Sequence, residues 1–258
     1  MPQADKAQQF NTLHVKGNPV VLYNIWDAGS AKALAEAGAP AVATGSWSVA
    51  AAQGYPDGEA LPRDVLTDIA RRIAGAVDVP VTIDFEGGYA VDPADVATNF
   101  AALLDTGIVG VNFEDRVVGG DGLHPIAAQA DRIAALRRAA DAKGVPAFLN
   151  ARTDLFLREK DKSRHAALIP EALERAQAYA AAGASGFFVP GLTDAEGISE
   201  ICAASPLPVN VMKMGDAPDI PALSALGVGR VSFGPAPYIR AMADLADRFR
   251  TETGTQPH

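Results

Sequence analysis

The chain has 258 residues and a formal charge of −9, from 22 Lys and Arg against 31 Asp and Glu. This surplus of acid leaves no basic stripe to displace counterions from phosphate, which argues against a nucleic-acid partner, and a single Cys excludes an internal disulfide or a Cys-rich zinc site. With 48% hydrophobic residues, no apolar run of bilayer length and no basic-then-apolar leader in MPQADKAQQF, the sequence reads as a globular protein of the cytoplasm with no membrane partner.

After a short lead-in, Val20 to Asn24 is the first apolar run with strand character. Asn24-Ile25-Trp26-Asp27 follows it, without the glycine fingerprint that an open dinucleotide-binding sheet would carry there. A helical stretch stops at Gly38 and leads into the second run, Ala41 to Thr44. The third is Val81 to Asp84, after Pro80. Pro93 to Asp105 then has apolar residues at helical spacing, stops at Gly107 and gives way to the fourth run, Gly110 to Glu114. Ala147 to Asn150 is the fifth. A helix over Glu171 to Ala182 stops at Gly183 before the sixth, Gly186 to Val189. Val209 to Val211 and Arg230 to Phe233 complete the series. Eight strand signals alternating with helices predict an α/β fold, a single (β/α)8 barrel over residues 1–258, with a polar, mobile tail from Thr251 to His258.

Active sites of such barrels lie at the carboxyl ends of the strands, so the polar residue closing each run is the informative one. Those positions hold Thr44-Gly45-Ser46, Asp84 with Glu86, Glu114-Asp115, Asn150 with Arg152, and Asn210. Asp84 and Glu86 are two apart and would share one side of an extended strand. Acids on adjacent strand ends repel one another, and a bound divalent cation resolves the repulsion. Hard oxygen ligands without His or Cys suit Mg²⁺, or Mn²⁺. The competing reading of each acid is a solvated loop residue. The small residues of Ala43 to Glu59 suit a backbone cradle for a carboxylate or oxyanion, and Asp57 lies in a turn able to fold over it. Trp47 reads as packing.

Five stretches taken together resemble the isocitrate lyase/phosphoenolpyruvate mutase superfamily. They are Asn24 to Asp27, Thr44 to Gly58, Asp84 to Tyr89, Asn112 to Asp115 and Asn150 to Asp154, in order and spacing from about Phe10 to about Arg240. The resemblance implies a Mg²⁺-dependent barrel enzyme, assembled as a homodimer or homotetramer and often with the last helix exchanged between subunits. Its substrates would be 2-oxo or 2-hydroxy carboxylates or their phosphonate relatives, cleaved through an enolate. By position it makes Asp84 the direct metal ligand, with Glu86 and Glu114 acting partly through metal-bound water. Asp57 becomes the acid of the gating loop. Thr44, Gly45, Ser46, Arg152 and Asn210 become the substrate-binding set.

One loop departs from the pattern. Isocitrate and 2-methylisocitrate lyases carry a Lys-(Lys/Arg)-Cys-Gly-His run after strand four, and phosphonate enzymes carry a Lys there. This chain has Arg116-Val117-Val118-Gly119-Gly120-Asp121-Gly122-Leu123-His124. The lone Cys202 falls in a helix and reads as a small buried hydrophobe. The expected reaction is therefore C–C cleavage or decarboxylation of a small acid, such as an oxaloacetate- or malate-like one, with His124 able to replace the missing proton donor. P–C chemistry, or keto-acid binding without turnover, is the alternative. A Schiff-base aldolase using Lys213 and a phosphate site at Gly234 are weaker rivals, since Lys213 lies beyond its strand and Pro235 and Pro237 remove N–H donors. His14 and His165 have no assigned role.

Overall fold

Eight parallel strands form one sheet in the computed structural model, which describes residues 1–255. In chain order the first half contains α1 (Gln3–Thr12), β1 (Val20–Leu22), α2 (Ala28–Glu36), β2 (Val42–Ala43), α3 (Ser46–Ala52), α4 (Arg63–Ala76), β3 (Val81–Asp84), α5 (Pro93–Leu104) and β4 (Gly110–Glu114). The second half contains α6 (Ile126–Ala142), β5 (Phe148–Arg152), α7 (Leu155–Arg158), α8 (Ile169–Ala181), β6 (Gly186–Phe188), α9 (Ala195–Ala204), β7 (Val209–Met212), α10 (Ile220–Ala225), β8 (Arg230–Ser232) and α11 (Ala236–Thr253).

Strand order is β1-β8-β7-β6-β5-β4-β3-β2. The two edges meet at one parallel bridge, Ile25 to Thr44, where the Ile25 N–H donates to the Ala43 carbonyl at 2.8 Å. The sheet is thus a nearly closed barrel wrapped by helices, as the alternation predicts. Helices cover its outer face, which is why β3 and β4 are buried at every position. Local chemistry starts the helices where expected. Asp27 and Ser30 make a reciprocal capping box on α2, and Asp92 accepts from the Ala94 N–H at 2.8 Å ahead of Pro93 on α5. Gly110 is required by close approach: a Cβ there would lie 2.7 Å from the Phe148 carbonyl oxygen on the neighbouring strand.

The barrel floor carries polar groups. Arg230 is fully buried and donates to Asn112 Oδ1 at 3.1 Å, while Asn150 donates to Asn112 Oδ1 at 2.9 Å and to Asn210 Oδ1 at 3.0 Å. Below them His14 stacks on Phe148 with ring centroids 3.7 Å apart, and Phe10 meets Phe148 at 5.5 Å, so α1 and the residues after it plug the bottom of the barrel.

The last helix runs on through Thr251 and Thr253, each hydroxyl donating to the carbonyl four residues back. Helix thus covers the first residues of the expected tail, and its end, including His258, lies outside the described residues. Along α11 only Pro237 is buried, and Ile239, Met242, Leu245 and Phe249 face solvent. Among the described residues no helix is long and apolar enough to cross a membrane.

Candidate active site

A cavity of about 260 Å³ opens at the carboxyl ends of the strands. Asp84 reaches it from the end of β3, Gly45 and Ser46 from the turn after β2, Arg152 from the end of β5 and Asp57 from the loop between α3 and α4. Five of the residues singled out from sequence thus share one cavity. Trp47 also lines it and meets Tyr238 edge-on at 6.0 Å.

Asp84 is held from behind. Its N–H donates to Thr44 Oγ1 at 2.9 Å, and its Oδ2 accepts from the Ser46 N–H at 3.2 Å. The second carboxylate oxygen, Oδ1, is buried without a hydrogen-bond partner. Burial raises the Asp84 pKa, and the Arg152 charge works against that rise. Thr44, expected to touch substrate, is instead the buried post under Asp84.

Arg152 is clamped by carboxylates. Nε and Nη2 donate to the two oxygens of Asp154 at 2.6 and 3.1 Å, and Nη1 lies 3.0 Å from Glu114 and 3.9 Å from Asp84. The sheet register explains this contact, because Glu114 on β4 pairs with Arg152 on β5. β5 extends two residues beyond the expected Asn150 to reach that register. Burial opposes the Arg152 charge, but Glu114, Asp154 and Asp84 outweigh it and hold its pKa well above the usual range. Burial also lifts Glu114 well above an ordinary carboxylate, with Arg152 pulling the other way.

Glu86 turns its carboxyl toward the loop between α3 and α4. Its Oε2 accepts from the Gly58 and Glu59 N–H groups at 2.9 and 2.8 Å, and Glu59 in turn accepts from the Tyr89 N–H at 2.8 Å. Glu59, Glu86 and Tyr89 all have positive φ, of 59°, 50° and 56°, a conformation uncommon for side chains of this size. Burial, then Asp57 and Asp84, push the Glu86 pKa up to about 8. The expected pairing of Asp84 and Glu86 along one extended strand ends where β3 ends, at Asp84; the left-handed turn at Glu86 redirects its side chain. Among the described residues no three His, Cys, Asp or Glu side chains converge as a direct ligand set.

Two expected site residues lie elsewhere. Asn210 is inside the barrel, donating to Ser232 Oγ at 3.1 Å and accepting from Asn150. His124 is buried beside the β4–α6 loop, with its N–H on the Asp115 carbonyl at 2.7 Å, and does not line the cavity. Burial and the nearby Arg132 lower its pKa. Lys213 is also absent from the lining, and the Ala236 N–H at the start of α11 already donates to the Phe233 carbonyl. Cys202 is buried as expected.

Sequence reasoning assigned no role to Asp154, Asn24 or Asn112. Asp154 orients Arg152; Asn24 ties three strand ends together, donating to the Thr44 carbonyl at 2.9 Å and accepting from the Phe233 N–H at 2.8 Å. Asn112 lines the cavity directly beside Asp84, its partner in the β3–β4 register. The available signal was their presence inside the matched stretches, which does not distinguish a ligand from a support.

The phosphoenolpyruvate phosphomutase family model matches residues 10–251. A Burkholderia cenocepacia J2315 protein solved as a candidate phosphonomutase has a TM-score of 0.94 and 46% identity, over 98% of this chain and 100% of that one. An uncharacterized protein of Mycobacterium tuberculosis is 34% identical over 229 residues, 89% of this chain and 83% of its own length. The 2-methylisocitrate lyase of Escherichia coli K12 is 30% identical over 218 residues, 81% of this chain and 71% of that enzyme. Fold, strand-end acids and these likenesses agree: the chain belongs to the phosphoenolpyruvate phosphomutase family, within a superfamily of lyases and mutases.

Proposed function

We propose that this protein is a Mg²⁺-dependent lyase that cleaves or decarboxylates a small 2-oxo or 2-hydroxy carboxylate through an enolate. The observation that carries the reading is the unpartnered, buried Oδ1 of Asp84 on the wall of a cavity shared with Arg152, Gly45 and Ser46. A buried carboxylate oxygen with no donor is costly unless a cation or a hydrogen bond satisfies it. An all-oxygen, His-free surround suits Mg²⁺, with Mn²⁺ as the substitute. Asp84 would hold the ion directly, with Glu86 and Glu114 behind it through water.

When bound, Mg²⁺ would supply Lewis acidity to a carboxylate oxygen and the adjacent carbonyl oxygen. The chain's own groups do the rest. Arg152, fixed by Asp154, keeps its charge and stabilises negative charge developing on the 2-oxo oxygen. Loss of such a donor typically costs about a hundredfold or more in rate. Gly45 and Ser46 orient the substrate carboxylate. Asp57 sits on the loop that Glu86 pins, where closure excludes water. His124 would need the β4–α6 loop to move before it could deliver a proton.

The runner-up, P–C bond chemistry, draws on the names of similar proteins; the loop from Arg116 to His124 lacks the Lys that such enzymes use. We further propose a homodimer or homotetramer built on α11. Leu245 is 62% and Phe249 60% exposed on a helix that buries only Pro237, and a second copy of the chain is the partner that the family resemblance implies.

Asp84→Asn tests the main reading. Wild type is expected to bind Mg²⁺ by calorimetry and, with it, oxalate, and to turn over a member of a small-acid panel in a manner lost on adding EDTA. The variant should stay folded by circular dichroism and lose at least tenfold in metal affinity. Equal affinities would overturn the assignment.

A further inference from the structure

We infer that the cavity selects acids carrying one carboxylate and an apolar substituent, and rejects those with a second carboxylate or a phosphonate. This deepens the reading above and rests on it. The barrel topology supplies the geometry: in an eight-stranded ring ordered β1-β8-β7-β6-β5-β4-β3-β2, β7 lies opposite β3. β6 likewise lies opposite β2, so a ligand anchored at Gly45 and Ser46 after β2 and at Asp84 on β3 faces β6 and β7 with its far end.

That far wall is apolar. It is made by Phe188 at the end of β6 and Pro190 beyond it, Met212 at the end of β7 and Met214 beyond it, and Leu157 on α7. Met212 shares the inward face of β7 with Asn210, and Met214 in the turn beyond joins it on the lining while Lys213 does not. Gly234 commits the space to the methionines. Its φ is +54°, and a Cβ there would lie 2.6 Å from Met212 Sδ and 3.3 Å from Met214 Sδ. Flexible thioethers against a glycine make an adaptable apolar surface.

No spare cation serves a second anion. Arg152 is the one cationic residue lining the cavity among those described, and its guanidinium is already shared by Asp154, Glu114 and Asp84. Apart from Arg152, Ser46 and the acids Asp57 and Asp84, the polar side chains on the lining are Asn24, Asn112 and Ser232, which are neutral and engaged in barrel hydrogen bonds. Phe188 lies beside Arg152, whose guanidinium carbon is 5.9 Å from its ring centroid, but a carboxylate pushed against Met212 and Met214 would lose water and meet no further cation on the lining, whereas a methyl or methylene group would gain burial. The oxaloacetate- or malate-like substrate expected from the sequence is therefore replaced by a monocarboxylate of similar length.

Calorimetry on the full chain with Mg²⁺ tests this with three probes. Oxalate reports the shared anchoring end. 2-Oxopentanoate and 2-oxoglutarate have the same number of carbons and differ at the far terminus, methyl against carboxylate. The expected result is at least tenfold tighter binding of 2-oxopentanoate, and a collapse of that ratio in Met212→Lys. If 2-oxoglutarate binds as tightly or more tightly while oxalate binds, the inference fails and the reading of the anchoring end survives. If oxalate itself does not bind with Mg²⁺, that reading falls, and the inference with it.

Discussion

Replacing His14 by Phe should remove a specific acid sensitivity of the fold. The ring is stacked on Phe148 and edge-on to Phe10, its Nδ1 bonds to the Phe10 carbonyl at 2.8 Å, and its Nε2 is inaccessible to solvent and without a partner. Burial, and secondarily the Arg230 charge, lower its pKa from 6.5 to about 3. Between those values the unfolded chain binds a proton that the folded chain does not. Stability from this group therefore falls as pH drops below about 6.5, and the loss is complete near pH 3. One pKa unit corresponds to about 1.4 kcal/mol, so lowering the pH from near 7 to near 5 should cost wild type roughly 2 kcal/mol through His14 alone. Phe fills the same aromatic slot and does not titrate. Urea unfolding of both proteins at the two pH values gives the double difference, in which every other titrating group cancels. Wild type should lose about 2 kcal/mol more than the variant. Equal losses would show that the ring is charged or solvated in the folded state and would refute its burial beneath the barrel.

Arg152→Lys should weaken oxalate binding at least tenfold, because a point charge cannot reproduce the two-pronged contact with Asp154 (about 1.5–3 kcal/mol for hydrogen bonds to charged groups); an unchanged Kd would remove Arg152 from the site. Gly110→Ala should destabilise the barrel by roughly 1–3 kcal/mol in denaturant unfolding, since its Cβ meets the Phe148 carbonyl, and an unaltered midpoint would contradict the β4–β5 spacing. Phe249→Asp on α11 should shift the assembly toward monomer in light scattering; an unaltered mass would place the interface elsewhere.

The boundaries of β3 and β4 matched the apolar runs residue for residue, because a short run bounded by Pro or Gly on one side and an acid on the other is a local feature. Asp57, Asp84 and Arg152 could be found the same way, as polar residues in the loops and strand ends at one mouth of a barrel. Glu86, His124 and Asn210 could not. Glu86 lies two residues past β3, His124 ten past β4 and Asn210 within β7, and a left-handed turn, a loop pairing and an inward-facing strand position send them to three different places.

The 258 residues by themselves determined the alternation of strands and helices, the acidic strand ends and a loop from Arg116 to His124 without Lys or Cys. Periodicity and turn chemistry act over a few residues and can be read without neighbours. Tertiary structure alone decided which acid keeps a free oxygen, that three carboxylates crowd Arg152, and that two methionines share a cavity with Asp84. Those outcomes depend on strand register and barrel closure, which bring together side chains dozens of residues apart, and no local pattern encodes that distance.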